Sequence, residues 1–355
     1  MKKNVTLTIL IVILILGLSV VAQAAEKKLL LKAPLVFSTA LPVLGDTVPE
    51  FAADVKAMSN GNITVKLYEP GKLLPPFEIL GAVSAGKVNA GCSTAAYWQG
   101  KMPEAALFSA FPFGPEIDEY MAWFFEGNGM KLYQEMYDNA GYNVKVIVLG
   151  FISAETSGWF AKPIETADDL KGLKMRFFGL GGKVMQKLGV AVSMLPAGEI
   201  FQALEKGVID ATEFSLANID QKLGFYKVAK YNYWPGWHQP GGTQELLINK
   251  DTWNSMTPVQ QAIIQSAAKQ NIVRSIARSE AQQGAAIREN VEKRGVINKY
   301  WSDDMLALFE KTWKEVSDEH VAQYPEFKKI WDDLTVFRAE YDYWKKLGFL
   351  PRTKE

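Results

Sequence analysis

The chain has 355 residues, in which 39 lysines and arginines balance 39 aspartates and glutamates, with two histidines and one cysteine. Zero formal charge, with no basic stripe interleaved with aromatics, argues against nucleic acid as a partner and directs attention to a small ligand. A lone cysteine excludes an internal disulfide, and two histidines leave imidazole-based catalysis poorly supplied.

Lys2 and Lys3 precede an apolar run from Leu7 to Val21 and the small-residue pattern Ala22-Gln23-Ala24. The run is shorter than the roughly 20 residues a membrane span needs, and no cysteine sits at the junction. It reads as a signal peptide cleaved after Ala24, which places the mature protein in the periplasm. About 330 residues remain, enough for two domains of ordinary size.

Leu29 to Ser38 reads as a strand, Asp46 to Met58 as a helix, Ile63 to Tyr68 as a strand and Pro76 to Ala85 as a helix. This alternation predicts an α/β fold. Cys92, in the small apolar stretch Val88 to Ala96, reads as a buried packing residue. Ala82 to Ala90 and Ala203 to Ala211 share one form, a helix stopped by glycine (Gly86, Gly207) and followed by a short strand. The sharper reading of that repeat is two similar lobes facing a shared cleft. Residues 25–150 form one lobe, to which part of 246–300 returns, and 151–245 form the other.

Arg176 ends an apolar-flanked strand, Leu173 to Phe178, where a guanidinium can offer two parallel N–H groups to a carboxylate. Gly179, Gly181 and Gly182 follow at the strand-to-helix turn, where glycine lets backbone approach a ligand. Neither the dinucleotide nor the P-loop spacing is met, because Lys183 is followed by Val184. Gly-x-Ser-x-Gly, His-Glu-x-x-His and Cys-x-x-Cys are absent from the sequence. An exported enzyme acting on small acids would therefore depend on His238 or Glu155 as general base.

Long helices follow residue 250: Pro258 to Arg294, Trp301 to Tyr324, and a last one in which Phe327, Ile330, Leu334, Phe337, Tyr341 and Trp344 form a seam widened by Trp331 and Leu347. Such a seam closes its own domain or docks on a second subunit. Residues 301–355 are thus a candidate dimerisation element, and the expected assembly is a homodimer.

Several motifs now line up: Tyr97-Trp98-x-Gly100-Lys101, Phe111-Pro112-Phe113-Gly114, Ser157-Gly158-Trp159-Phe160, Arg176 with its glycines, Gly207-x-x-Asp210-Ala211-Thr-Glu213, and Pro235-Gly236-Trp237-His238-Gln239-Pro240-Gly241. With the signal peptide and the final aromatic helix, they resemble the substrate-binding proteins of tripartite ATP-independent periplasmic (TRAP) transporters, nearest to receptors for 2-oxo acids such as pyruvate and for lactate. The resemblance covers essentially the whole mature chain. It implies a two-lobed periplasmic binding protein, not an enzyme, that closes around a small organic acid and delivers it to a membrane permease. On the same ground Arg176 clamps the ligand carboxylate and Tyr97, Glu155 and Phe214 contact the ligand. Glu155, Glu213, the Phe214 carbonyl and Gln239 would hold a cation. Three positions depart from the family pattern: Glu155 stands where glutamine is common, Phe214 where tryptophan is common, and Gln239 where glutamate is common. Two glutamates and a bound carboxylate against one arginine favour calcium over sodium.

Overall fold

The computed structural model describes residues 28–350, so the signal peptide expected over residues 1–24 lies outside the described residues. Eleven strands occur among them: β1 (Leu29–Pro34), β2 (Ile63–Tyr68), β3 (Ala90–Ser93), β4 (Val144–Ile152), β5 (Gly158–Phe160), β6 (Lys174–Arg176), β7 (Ala191–Ser193), β8 (Ala211–Thr212), β9 (Tyr231–Trp234), β10 (Gly242–Asn249) and β11 (Ile297–Tyr300).

β1 and β2 pair in parallel around the helix Thr47–Met58, whose Val48, Phe51 and Val55 are buried. β1 ends four residues before the expected Ser38, because the chain changes neighbours there. Leu35 N still donates to Tyr68 O, but Val36 N donates to Cys92 O beside β3. Cys92 is buried as expected, and burial pushes its thiol up to about 12.

β10 runs antiparallel between β3 and β4, and all eight of its residues are buried. A strand covered on both faces is ordinarily an apolar run and tolerates a polar side chain only where that side chain is hydrogen-bonded. Glu245 meets that condition by accepting from Ser93 Oγ at 2.6 Å, Trp98 Nε1 at 2.9 Å and Tyr137 Oη at 2.7 Å. A third, six-stranded sheet has the order β11-β9-β5-β8-β6-β7. The two helix–glycine–strand junctions feed the two larger sheets, one each: Gly86 (φ +71°) precedes β3 and Gly207 (φ +66°) precedes β8. The molecule is two-lobed α/β.

A 37-residue helix, Pro258–Arg294, joins the lobes. It starts at a Thr257–Gln260 capping box and stops at Gly295 (φ +68°). Near its middle Arg274 pairs with Glu50 at 2.7 Å and Asp54 at 2.9 Å, and further on Gln283 bonds Asn218 at 3.1 Å. The helices Asp303–Gln323 and Pro325–Gly348 close the chain. In the last one Phe327, Ile330 and Leu334 are buried, and Asp333 accepts from Trp123 Nε1 at 2.8 Å, so its first half packs on the lobe containing β4. Its second half does not: Trp344 is 57% and Leu347 72% exposed. Among the described residues no helix is long and apolar enough to cross a membrane.

Candidate functional site

Two segments carry the chain from one sheet to the other. Residues 153–157 link β4 to β5, and residues 235–241 link β9 to β10. They lie side by side, with Glu155 N donating to Gln239 O at 3.3 Å. Their approach requires glycine at 236, where a Cβ would overlap the Glu155 carbonyl. Gly236→Ala is expected to part the strands of this crossing, costing about 1–3 kcal/mol of stability as overpacked sites do. Ligand affinity should fall with it, and calorimetry with a denaturant titration checks both.

Sheet register supplies the rest. β6 and β8 pair in parallel with Arg176 opposite Thr212, which sets Arg176 beside Glu213. Arg176 is 1% exposed; its Nη1 donates to Glu213 Oε1 at 2.6 Å and Glu213 O at 2.7 Å, and its Nε donates to Leu195 O at 3.3 Å. The guanidinium therefore does not present the free two-pronged fork that the sequence suggests. Nη2 makes none of these bonds, and the guanidinium carbon lies 5.1 Å from the centre of the Phe214 ring.

Arg176 borders a small cavity of about 30 Å³ between the lobes. Its apolar wall joins Phe37 and Tyr97 from one lobe to Phe178 and Phe214 from the other, with Tyr97 edge-on to Phe178 at 5.3 Å. Glu155 and Gln239 line it as well. Glu213 stands behind, held by Arg176 and by the Phe178 amide. The glycines after Arg176 do not line the cavity. Gly181 instead lets its helix, Gly179–Lys187, pack on Phe177 and on His238, whose Cβ would lie 2.9 Å from a Cβ at 181. Trp98, Trp159 and Trp237 also serve packing: the first two donate to Glu245 and Asp220, and Trp237 stacks on Phe309 at 4.5 Å.

His238, which sequence reasoning weighed only as a catalytic base, lies among the acidic groups. Its Nε2 is 3.4 Å from Glu213 Oε2 and 3.7 Å from Glu155 Oε2, with all three side chains buried. Burial pushes the Glu155 carboxyl up to about 7, with His238 opposing. Burial alone would lower His238, but Glu155 and Glu213 outweigh it and carry the imidazole to about 9. Glu213 is held below the usual carboxylate range, because Arg176 and His238 overcome its desolvation. Glu155 Oε2 and Glu213 Oε2 are buried without a hydrogen-bond partner. A cation is the group that such orphaned acceptors fit, and hard carboxylate and amide oxygens suit sodium or calcium.

Residues 37–324 match the family model described as bacterial extracellular solute-binding protein, family 7. The chain belongs to this family. A relative within reach of sequence comparison is a monocarboxylate 2-oxoacid-binding periplasmic protein of Nostoc sp., 34% identical over 299 residues that cover 84% of this chain and 81% of the relative. Two TRAP solute-binding protein structures superpose over 91% of the chain. One, from Bordetella bronchiseptica, is a mixed-occupancy dimer with copurified calcium and picolinate (TM-score 0.88, 28% identity, 95% of that chain covered). The other, from Pseudoalteromonas atlantica, holds sodium and pyruvate (TM-score 0.87, 29% identity, 97% covered). Members of family 7 are receptors for extracellular solutes, and the two-lobed fold with its long terminal helices is the fold of these structures.

Proposed function

We propose that this protein is the periplasmic receptor of a TRAP transporter, binding a small 2-oxo or 2-hydroxy monocarboxylate such as pyruvate or lactate together with a cation, and delivering it to a membrane permease. The observation that carries this reading is the buried Arg176 beside two orphaned carboxylate oxygens at one small, aromatic-walled cavity. In it Arg176 Nη2 meets the ligand carboxylate, Tyr97 and Phe214 flank it, and Glu155, Glu213, the Phe214 carbonyl and Gln239 hold the cation. At about 30 Å³ the cavity has room for only a few heavy atoms, which suits a short acid. The lobes correspond to residues 25–150 with part of 246–300, and to 151–245; removal of residues 1–24 accompanies export. An enzyme acting on the same acids would consume them, so recovery of unchanged ligand separates the two readings.

Calcium is the preferred ion over sodium. Glu155, Glu213 and the ligand bring three negative charges against one from Arg176, and a dication balances them once the cation displaces the proton that the two carboxylates hold on His238. Glu155→Gln should then move the preference toward sodium. Titration of chelator-treated protein checks this, and tight binding in sodium alone, unaltered by calcium, would remove the calcium assignment.

The receptor is a homodimer in this reading. The exposed end of the last helix carries Trp344 and Leu347 with Lys345 and Lys346, and an apolar groove lined by Ile117, Met121, Phe125 and Ile276 is rimmed by Asp118, Glu126 and Glu280. Shape and charge suit the helix end of one copy to the groove of another.

A further inference from the structure

Thr94, Ser109 and Thr243 line the cavity from the lobe that faces Arg176, and each is 5% exposed or less. A hydroxyl has one proton to give and two lone pairs with which to receive, so its free function follows once the proton is placed. Thr243 Oγ1 donates to Phe108 O at 2.5 Å and Thr94 Oγ1 to Thr243 O at 3.0 Å, both carbonyls that can only accept. The sheet makes the second bond necessary. Thr243 N donates to Ser109 O at 3.1 Å, and Phe151 N, on the facing residue of β4, donates to Ser275 Oγ at 3.0 Å, so this pair exchanges no main-chain bonds and Thr243 O is left to Thr94. With the Thr94 proton placed there, the 2.5 Å contact between Thr94 Oγ1 and Ser109 Oγ requires the serine to donate. All three protons are therefore committed inside the protein, and among the described residues no donor reaches the lone pairs of Ser109 Oγ or Thr243 Oγ1. The opposite lobe is the reverse, since Arg176 brings donors and Ser215 Oγ is buried without a partner.

We propose that Ser109, its proton held by Thr94, is a specificity-determining residue: it offers only lone pairs to the end of the ligand remote from the carboxylate, and so selects a short acid that carries a hydroxyl on its third carbon over one that ends in alkyl. This rests on the carboxylate-receptor reading above and narrows its ligand class. With the carboxylate at Arg176, the far carbon of a three-carbon acid faces the other lobe. A hydroxyl there gives its proton to Ser109 Oγ, whereas a methyl leaves the lone pairs dry and unpaired, and a second carboxylate sets lone pairs against lone pairs. A site that pairs a ligand hydroxyl rejects the analogue lacking it much more strongly than a difference of size would, because its own buried polar group is then left without a partner.

The test compares ligands of equal size. 3-Hydroxypyruvate and 2-oxobutyrate have the same number of heavy atoms and differ by a hydroxyl in place of a methyl, so steric fit cancels between them. Each is titrated calorimetrically into the mature protein with sodium and calcium both present, beside pyruvate as reference. Hydroxypyruvate should bind at least about tenfold more tightly than 2-oxobutyrate. Ser109→Ala keeps the bond from Thr94 to Thr243 O and should bring the two acids to within about threefold of each other. Equal affinities, or a preference for 2-oxobutyrate, in the wild-type protein would overturn the proposal even if the alanine variant fails to fold. A preference for hydroxypyruvate that survives undiminished in a folded Ser109→Ala protein would overturn it as well. If pyruvate binds and hydroxypyruvate does not, the subsite is lost while the receptor reading stands, and if none of the three acids binds, both fall together.

Discussion

Arg176→Ala is expected to abolish carboxylate binding and to destabilise the protein as well. Hydrogen bonds to charged groups contribute about 1.5–3 kcal/mol each, so losing one or two of them from a dry cleft raises Kd by roughly tenfold to twenty-thousandfold. The second effect comes from the partner left behind. Arg176 Nη1 sits 2.6 Å from Glu213 Oε1, and both side chains are buried, so alanine strands an uncompensated carboxylate at a cost of about 3–5 kcal/mol. Arg176→Lys keeps the charge and should recover much of the stability. It should still bind at least about tenfold more weakly, because one ammonium cannot serve Glu213, Leu195 O and the ligand in the geometry of a guanidinium. Calorimetry on a folded variant decides: near-normal affinity in Arg176→Ala would remove the clamp.

Truncation of the last helix should have two outcomes, depending on where it is cut. Removal of everything after Tyr324 takes Phe327, Ile330 and Leu334 out of the core, each worth about 1.5–3 kcal/mol when fully buried, together with the partly buried Trp331 and Phe337. That loss of roughly 5 kcal/mol or more is comparable to the whole stability of an ordinary domain, so the shortened chain should be unfolded or aggregated. Removal of everything after Tyr341 takes exposed side chains such as Trp344 and Leu347 and the half-buried Lys345 with its Glu116 ion pair at 3.3 Å, a partly exposed pair that contributes little, and should leave stability nearly unchanged. Light scattering on that shorter truncation reports on assembly: dimer becoming monomer supports docking by the helix end, and a full-length mature chain that is monomeric at micromolar concentration contradicts it.

Much of the scaffold was legible because it is written locally. The helix from Pro258 to Arg294 carries its own cap and stop, and the helix–glycine–strand junctions at Gly86 and Gly207 need only backbone conformation to be read. The site was legible in its members more than in its wiring. Arg176, Tyr97, Glu155, Phe214 and Gln239 do border one cavity, but that Glu213 holds Nη1 of the guanidinium through both its carboxylate and its carbonyl follows from the β6–β8 register, which no local pattern encodes. The glycines after Arg176 were read as a ligand cradle, whereas Gly181 makes room for Phe177 and His238, neighbours brought in from another part of the chain. His238 is the clearest omission. One of only two histidines, adjacent to Gln239, it was a visible signal, but its place between Glu155 and Glu213 depends on two crossings between sheets lying side by side. The aromatic seam of the last helix likewise ran past the point where its own lobe ends, because periodicity marks an apolar face and not what covers it.

The most direct test of a cation-dependent carboxylate receptor is a thermal-shift titration of chelator-treated mature protein with pyruvate and lactate, each with and without added cation, followed by analysis of the recovered ligand. A receptor is stabilised by RT ln(1 + [L]/Kd), about 2.7 kcal/mol at a hundredfold excess over Kd. The expected result is a rise in melting temperature that requires acid and cation together, with the acid recovered unchanged. No stabilisation by any short 2-oxo or 2-hydroxy acid with any cation, or conversion of the acid to a product, would contradict the account.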